Sequence, residues 1–492
     1  MLKELKNEAN NTNTENGAAA YKSTLNFCLD LFATCGALRS ASEQEIVNRF
    51  IRAYAENPDI AMKILFFARD IREGLGERRF FYVVLKYLSG NYPKTMEKNL
   101  EQIAEYGRYD DILALFNTPC EKIAKEYLKK QFFEDLYNLE NHKPISLCAK
   151  WLPSINTSNK EKVKFGRKIA KYFGLSEKEY RQDLTKLRRR INIIENYLRR
   201  KDYSFYYDNI PSKAALKYRS AFCRNDWDRY SEYLSKVRKN ELKMNTNTLM
   251  PYEIVSPFYG YDRWFERVSD QEALSLDTTW KALPDYTDDT NALVVIDTSG
   301  SMLWNRSGNP LPMTVATSLG LYFAERTKGE FKNHFIIFSS TPQLIEIKGT
   351  TLQEKLEYIA TFNEVADTNM EAVFDLILNA ALKNSIKKED MPTRIFIVSD
   401  MEFNQGISNA DKTIFEIAKK KFEDNGYSLP HVIFWNVASR NQQLPVTMNE
   451  QGVTLVSGCN ARTFRQVMSD DVNPYEYMME VVNSERYSKI IA

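Results

Sequence analysis

The chain has 492 residues, 43% hydrophobic and 27% charged, with a formal net charge of +2. That length suffices for two or three domains with sizeable cores, and no stretch approaches the roughly 18–20 consecutive apolar residues of a membrane span. Six scattered cysteines without a CxxC pair, and three histidines far apart, point to free thiols in a reducing, cytoplasmic setting and away from a zinc site or a His-based triad.

Residues 1–20 are polar, rich in Asn, Glu and Thr, and lack the apolar core of a secretory signal; their composition predicts a disordered tail. From residue 21 to about 250 the periodicity is helical. SEQEIVNRFIRAYAENPD (42–59) opens with Ser42 as N-cap and Glu45 at the capping-box position, repeats Ile46, Phe50 and Tyr54 at i, i+4, and stops at Asn57-Pro58. Further helices are predicted over 59–74, 77–90, 97–116 and 121–140. Helices of this length joined by short turns imply a HEAT-like α-solenoid, although no strict repeat period is present.

Charge then becomes uneven. Residues 160–243 hold 24 Lys/Arg against 11 Asp/Glu, while the remainder holds 43 against 54. The densest stretch, KLRRRINIIENYLRRK (186–201), reads as one helix. Leu187, Ile191, Ile194 and Leu198 form its apolar stripe, and Arg188, Arg189, Arg190, Arg199, Arg200 and Lys201 lie on other faces. Tyr203, Phe205, Tyr206, Tyr207, Tyr218, Phe222, Trp227 and Tyr230 are interleaved nearby. Guanidinium groups hold phosphates and rings stack unpaired bases, so the segment is a candidate RNA surface; the alternative is a solvated basic helix whose aromatics are core. ARDIREGLGERR (68–79) offers a second cluster, Arg69, Arg72, Arg78 and Arg79, either facing phosphates or pairing with Asp70, Glu73 and Glu77. Trp151, ahead of Pro153, reads as a packed corner more than a stacking platform.

Residues 251–291 carry prolines at 251, 257 and 284 and the polar run DYTDDTN, and read as a domain junction. From 292 to 470 the pattern alternates. Strands are predicted at 292–297, 334–339, 394–400, 431–437 and 453–457, with helices at 314–329, 370–385 and 412–426, and a C-terminal helical segment follows over 471–492. Such alternation means a mainly parallel, doubly wound sheet that binds ligands at the strands' carboxyl ends. There the first strand ends in ALVVIDTSGSM, presenting Asp297, Ser299 and Ser301. Oxygen-only donors suit Mg²⁺, Ca²⁺ or Mn²⁺. Thr368, at the start of a helix, and Asp400, at the end of a later strand, converge on the same sheet edge.

This pattern resembles a von Willebrand factor A domain with a metal-ion-dependent adhesion site. The resemblance places the ion's ligands on Asp297, Ser299, Ser301, Thr368 and Asp400, and implies open positions filled by water or by a partner's acidic group. One departure is Ala366-Asp367 where the family often has two glycines; it leaves Asn369 as an alternative to Thr368. Glu402 is a further direct or supporting ligand candidate. Together with LFFARDIREGLGERRFF (65–81), LEQIAEYGRYDDILALF (100–116), AKWLPSINTSNK (149–160) and IPSKAALKYRSAFCRND (210–226), the arrangement resembles the TROVE-domain Ro ribonucleoproteins, in which such a domain closes a helical ring. That resemblance implies a non-catalytic, monomeric binder of small structured RNAs and RNA 3′ ends. The rival reading is a metal-dependent protein-interaction scaffold without RNA. A nuclease would need a multi-carboxylate cluster with His or Lys partners, which the sequence does not offer.

Overall fold

A computed structural model of the chain describes residues 1, 5, 8–260, 265–287, 291–303, 310–338, 340–362, 368–404, 412–467 and 473–492. An α-helical half precedes an α/β half. No helix among these residues is long and apolar enough to cross a membrane.

In the early helical half, Glu43–Glu56, Pro58–Arg69, Arg78–Asn91 and Pro93–Tyr106 each stack on the next. Glu43–Glu56 begins at Ser42, whose side chain accepts from Glu45 N–H, and ends at Asn57, which in turn caps Pro58–Arg69. Arg78–Asn91, Pro93–Tyr106 and Glu121–Glu140 follow. Three expected helices are shorter than their periodicity suggests. Residues 59–74 stop at Arg69, because Asp70 accepts from Arg72 N–H and turns the chain. Residues 97–116 break at Gly107 into Pro93–Tyr106 and Tyr109–Ile112. The basic stretch 186–201 is two helices, Glu177–Ile191 and Ile194–Arg199, divided where Asn192 takes the left-handed conformation that asparagine tolerates.

The α/β half is built on strands β3 (Ala292–Asp297), β4 (His334–Phe338), β5 (Gln343–Glu346), β6 (Arg394–Ser399), β7 (His431–Asn436) and β8 (Val453–Ser457). They are numbered after a two-stranded hairpin, β1 (Asn11–Asn13) and β2 (Ala19–Tyr21). Strand order is β5-β4-β3-β6-β7-β8, and only β5 runs antiparallel to its neighbour. Every residue of β3 and β6 is buried, as expected for central parallel strands covered on both faces. The chain leaves β3 toward β4 on one side and later builds β6, β7 and β8 outward on the other. The carboxyl ends of β3 and β6 therefore flank the topological switch point, where a crevice opens between diverging connections. Helix Pro312–Arg326 is buried but for its last two residues. It lies so close to β3 that a methyl at Gly320 would stand 2.1 Å from Ile296 Cδ1.

Two boundaries differ from the sequence reading. Residues 8–20 are not a free tail: β1 pairs antiparallel with β2, and Ala18 and Ala20 are buried. Tyr21 and Leu444 exchange backbone hydrogen bonds, both 2.9 Å. Thr14 Oγ1 donates to Phe403 O and Asn16 Nδ2 to Glu402 O (2.6 Å). Polar composition hid this because the hairpin docks through hydrogen bonds more than apolar area. Nor are residues 251–260 and 265–287 a loose junction. Pro251 starts helix Pro251–Val255, Asp270–Lys281 follows, and Ile254, Val255, Phe258, Leu276 and Trp280 are core residues. A proline at the first helical position initiates rather than breaks.

Both ends of the helical half dock on the α/β half. At the early end Gly36 N–H donates to Ser457 Oγ (3.0 Å), Asn460 Nδ2 to Gly74 O (2.7 Å), and Arg486 Nε pairs with Asp70 (2.8 Å). At the late end Trp280 Nε1 donates to Glu325 (2.6 Å) and Leu352 N–H to Asp277 (3.0 Å). The two ends also meet, with the Arg39 guanidinium 5.5 Å from the Tyr252 ring centre.

Candidate metal centre at the sheet edge

Asp297 closes β3 and is fully buried. Ser299 N–H donates to its Oδ1 at 2.9 Å, a turn that folds the next residues back over the carboxylate. Thr298 fixes the loop to β4, with its N–H and Oγ1 both donating to Phe338 O (3.0 and 3.1 Å). The result sets Ser299 Oγ and Ser301 Oγ 3.1 Å apart. On the other side of the switch point Ser399 Oγ donates to Asp297 Oδ2 at 2.5 Å. Asp400 follows, 1% exposed, with Ser301 among its hydrogen-bond partners. Met401 takes φ +67°, a strained value for a methionine, held by Met401 N–H to Ser399 Oγ (2.9 Å) and Glu402 N–H to Asp400 Oδ1 (3.2 Å).

Thr368 is buried, and its carbonyl accepts from Asn404 N–H at 2.9 Å, joining it to the loop after β6. Asn369 is otherwise engaged: its side chain caps helix Met370–Lys383 by accepting from Ala372 N–H. Ala366 and Asp367 lie outside the described residues. Glu402 is buried with both carboxylate oxygens taken, one by Asn441 Nδ2 (2.9 Å) and one by Glu15 N–H (2.9 Å), so it braces the loop.

Burial pushes the Asp297 carboxyl up, against hydrogen bonds from Ser399 and Ser299. Asp400 is pushed up to about 7, by burial first and then by the charge of Asp297; Arg440 and Ser301 oppose the rise. Arg440 was not foreseen. It stands in the loop after β7, with Nη2 3.0 Å from Asp400 Oδ2 and Nη1 3.4 Å from Glu15. Its only sequence signal is position, since every parallel strand of such a sheet ends at the same edge. With Ser301 and Asp400 it lines a cleft of about 360 Å³ between the two halves, whose other wall is Arg39 to Ser42 and Glu45.

The donor set suits a hard divalent cation. Among the described residues no group of three or more His, Cys, Asp or Glu converges as ligands, so hydroxyls and carboxylates would share the task. Neighbouring oxygens on an octahedral Mg²⁺ stand about 2.9 Å apart, close to the separation of the two serine hydroxyls. Burial penalises the charged form of both carboxylates, a cost that such an ion would offset by pairing with them.

The arginines divide into two groups. Arg69 is 5% exposed, with Nε and Nη2 on Asp111 (2.9 and 2.7 Å). Arg72 pairs with Glu105, Arg78 with Asp110, and Arg79 donates to the carbonyls of Leu38 and Arg39. This cluster ties helices together and is no open phosphate surface; its acidic partners are Glu105, Asp110 and Asp111, not Asp70, Glu73 and Glu77. Arg188 is likewise structural, donating to Ala149 O, Ser154 Oγ and Leu152 O at 2.6–2.8 Å. Arg189, Arg190, Arg199, Arg200 and Lys201 are exposed and enter no ion pair among the described residues. Of the aromatics, Phe205, Tyr207, Phe222 and Tyr230 are core, whereas Tyr206 is 73% exposed. Trp151 is packed under Arg108, 4.0 Å from its ring centre.

Comparison with known proteins gives these relations. A family model described as Domain of unknown function (DUF2828) matches residues 14–139 and 114–293, more than half of the chain, and one described as Domain of unknown function (DUF7788) matches 291–489. An uncharacterised protein of Acanthamoeba polyphaga mimivirus is 30% identical over 96% of this chain and 87% of its own length. Among solved structures, the Ro (RSR) protein of Deinococcus radiodurans aligns over 93% of both chains at 11% identity and a TM-score of 0.34, a likeness too distant to carry an argument.

Proposed function

We propose that this chain, which belongs to the family described as Domain of unknown function (DUF2828), is a non-catalytic, Ro-like RNA-binding protein with a divalent-cation site. Its α/β half is read as a von Willebrand factor A-type domain. Asp297, Ser299, Ser301, Thr368 and Asp400 would hold Mg²⁺, or Ca²⁺ or Mn²⁺. The ion supplies a positive centre with open positions that captures a phosphate or carboxylate oxygen. The observation that carries the reading is the convergence of two buried carboxylates and two adjacent hydroxyls at the switch point of the sheet. RNA is favoured as the macromolecular ligand by five exposed basic residues that enter no ion pair among the described residues and by exposed Tyr206 a few positions on in the same basic segment, a combination that suits phosphates and an unstacked base. Six buried free cysteines suit a reducing cytoplasm. The docking of both helical ends on one α/β half suits a monomer.

The test is cross-linking of the full chain to host RNA, followed by sequencing. A variant carrying Arg189→Glu, Arg190→Glu, Arg199→Glu and Arg200→Glu runs beside it. The reading expects structured or 3′-ended RNAs, depleted at least ten-fold in the variant. RNA recovery no better than background, or equal in both proteins, would leave the protein-scaffold reading in its place.

A further inference from the structure

Arg440 has no place in the ligand set above, yet its guanidinium rests on one of its carboxylates. The backbone around it is held on both sides. Ser439 N–H donates to Ala37 O (3.0 Å), Arg49 donates to Ser439 Oγ and to Asn441 O (both 3.1 Å), and Asn441 Nδ2 holds Glu402 (2.9 Å). The helical half thus fixes where this arginine is rooted. At its tip, Nη2 holds Asp400 at 3.0 Å and Nη1 lies 3.4 Å from Glu15. Nε is buried with no partner among the described residues. A buried, unsatisfied guanidinium N–H costs stability until an acceptor reaches it. The cleft beside it is large enough to bring one in.

We propose that Arg440 is a stand-in cation that competes with a divalent ion for Asp400. An arriving divalent ion displaces it from Asp400, and the released guanidinium then binds a phosphate group seated beside the ion. This rests on the metal reading above and adds to it a coupling between metal and anion. While Asp400 is neutralised by Arg440, the ion must compete with a tethered positive charge. Once Asp400 is taken by the ion, the fork of Nε and Nη2 is free to pair with two oxygens of a tetrahedral anion, the geometry guanidinium favours. By linkage, metal raises affinity for phosphate and phosphate raises affinity for metal by the same factor. The cleft's other wall comes from residues 37–45, so the anion would lie between the halves, a position that a separate α/β domain would lack.

The experiment is a calorimetric titration of the full chain with Mn²⁺, alone and with inorganic phosphate, on wild type, Arg440→Gln, Arg440→Lys and Asp297→Asn. The expected result is at least ten-fold tighter Mn²⁺ binding in Arg440→Gln. Wild type should bind phosphate only when Mn²⁺ is present, and Arg440→Gln should lose that binding. Arg440→Lys keeps the competing charge but not the fork, so its Mn²⁺ affinity should stay near wild type while its phosphate binding weakens; it also serves should Arg440→Gln fail to fold. If Asp297→Asn abolishes Mn²⁺ binding but the Arg440 variants bind it as wild type does, the stand-in role is overturned and the metal site survives. Phosphate binding without Mn²⁺, or acetate binding as well as phosphate, overturns the anion arm. If wild type takes up no Mn²⁺, or Asp297→Asn takes it up equally, the metal reading itself falls.

Discussion

Asp111 accepts two hydrogen bonds from Arg69 inside the helical half, with both side chains almost wholly buried. Removing one member of such a pair strands the other charge in low dielectric, at a cost of about 3–5 kcal/mol. Arg69→Ala should therefore lower the urea midpoint strongly while leaving RNA recovery per folded molecule unchanged; unchanged stability would contradict the structural role. The same residue shows what a sequence hides. Arg69, Arg72, Arg78 and Arg79 fall in one short stretch with acids among them, and their number cannot say which acids a fold will bring. The helix Tyr109–Ile112 supplies Asp110 and Asp111 from some 40 residues away. Asp297, Ser299, Ser301 and Asp400 were legible because each stands at the end of an apolar run whose direction the topology fixes. Arg440 was not, being a lone arginine in a loop.

At the scale of elements, the contact of the two halves is carried in part by bare backbone. A methyl at Gly36 would stand 2.7 Å from Gly458 N and Ser457 C, at the end of β8. Backbone cannot yield as a side-chain tip does, so Gly36→Ala should destabilise by about 1–3 kcal/mol and loosen the Gly36–Ser457 hydrogen bond. Gly90→Ala is the matched control: it lies in helix Arg78–Asn91 with open space around it and should gain up to about 1 kcal/mol. Denaturant midpoints of both variants check the pair; equal effects would refute the close approach. All five strands read from the sequence are present, because β-branched runs bounded by turn residues leave little choice. Strand β5 was missed: it is a four-residue antiparallel edge with Leu344 55% exposed, so it lacks the buried run that marks a parallel strand. The opening hairpin and residues 251–282 were misread for one reason. Polar residues and prolines were taken as signs of looseness, where here they supply hydrogen bonds and helix starts.

Over the whole molecule, the helical half meets the α/β half with both of its ends and roofs the sheet edge that carries the carboxylates. That placement distinguishes a site built by the entire chain from one borrowed with a domain. It also explains why the loop after β7 is held by Arg49 and Ala37 as well as by Glu402 of its own half. The central claim is that this edge holds a divalent cation, and one measurement addresses it without any ligand in hand. Electron paramagnetic resonance of Mn²⁺ mixed with the full chain, after exhaustive chelation, counts bound ions directly. The account predicts one ion per chain, lost in Ser299→Ala/Ser301→Ala and in Asp297→Asn while circular dichroism stays that of the folded wild type. Free-solution Mn²⁺ spectra for the wild type, or binding that survives both variants, would contradict it.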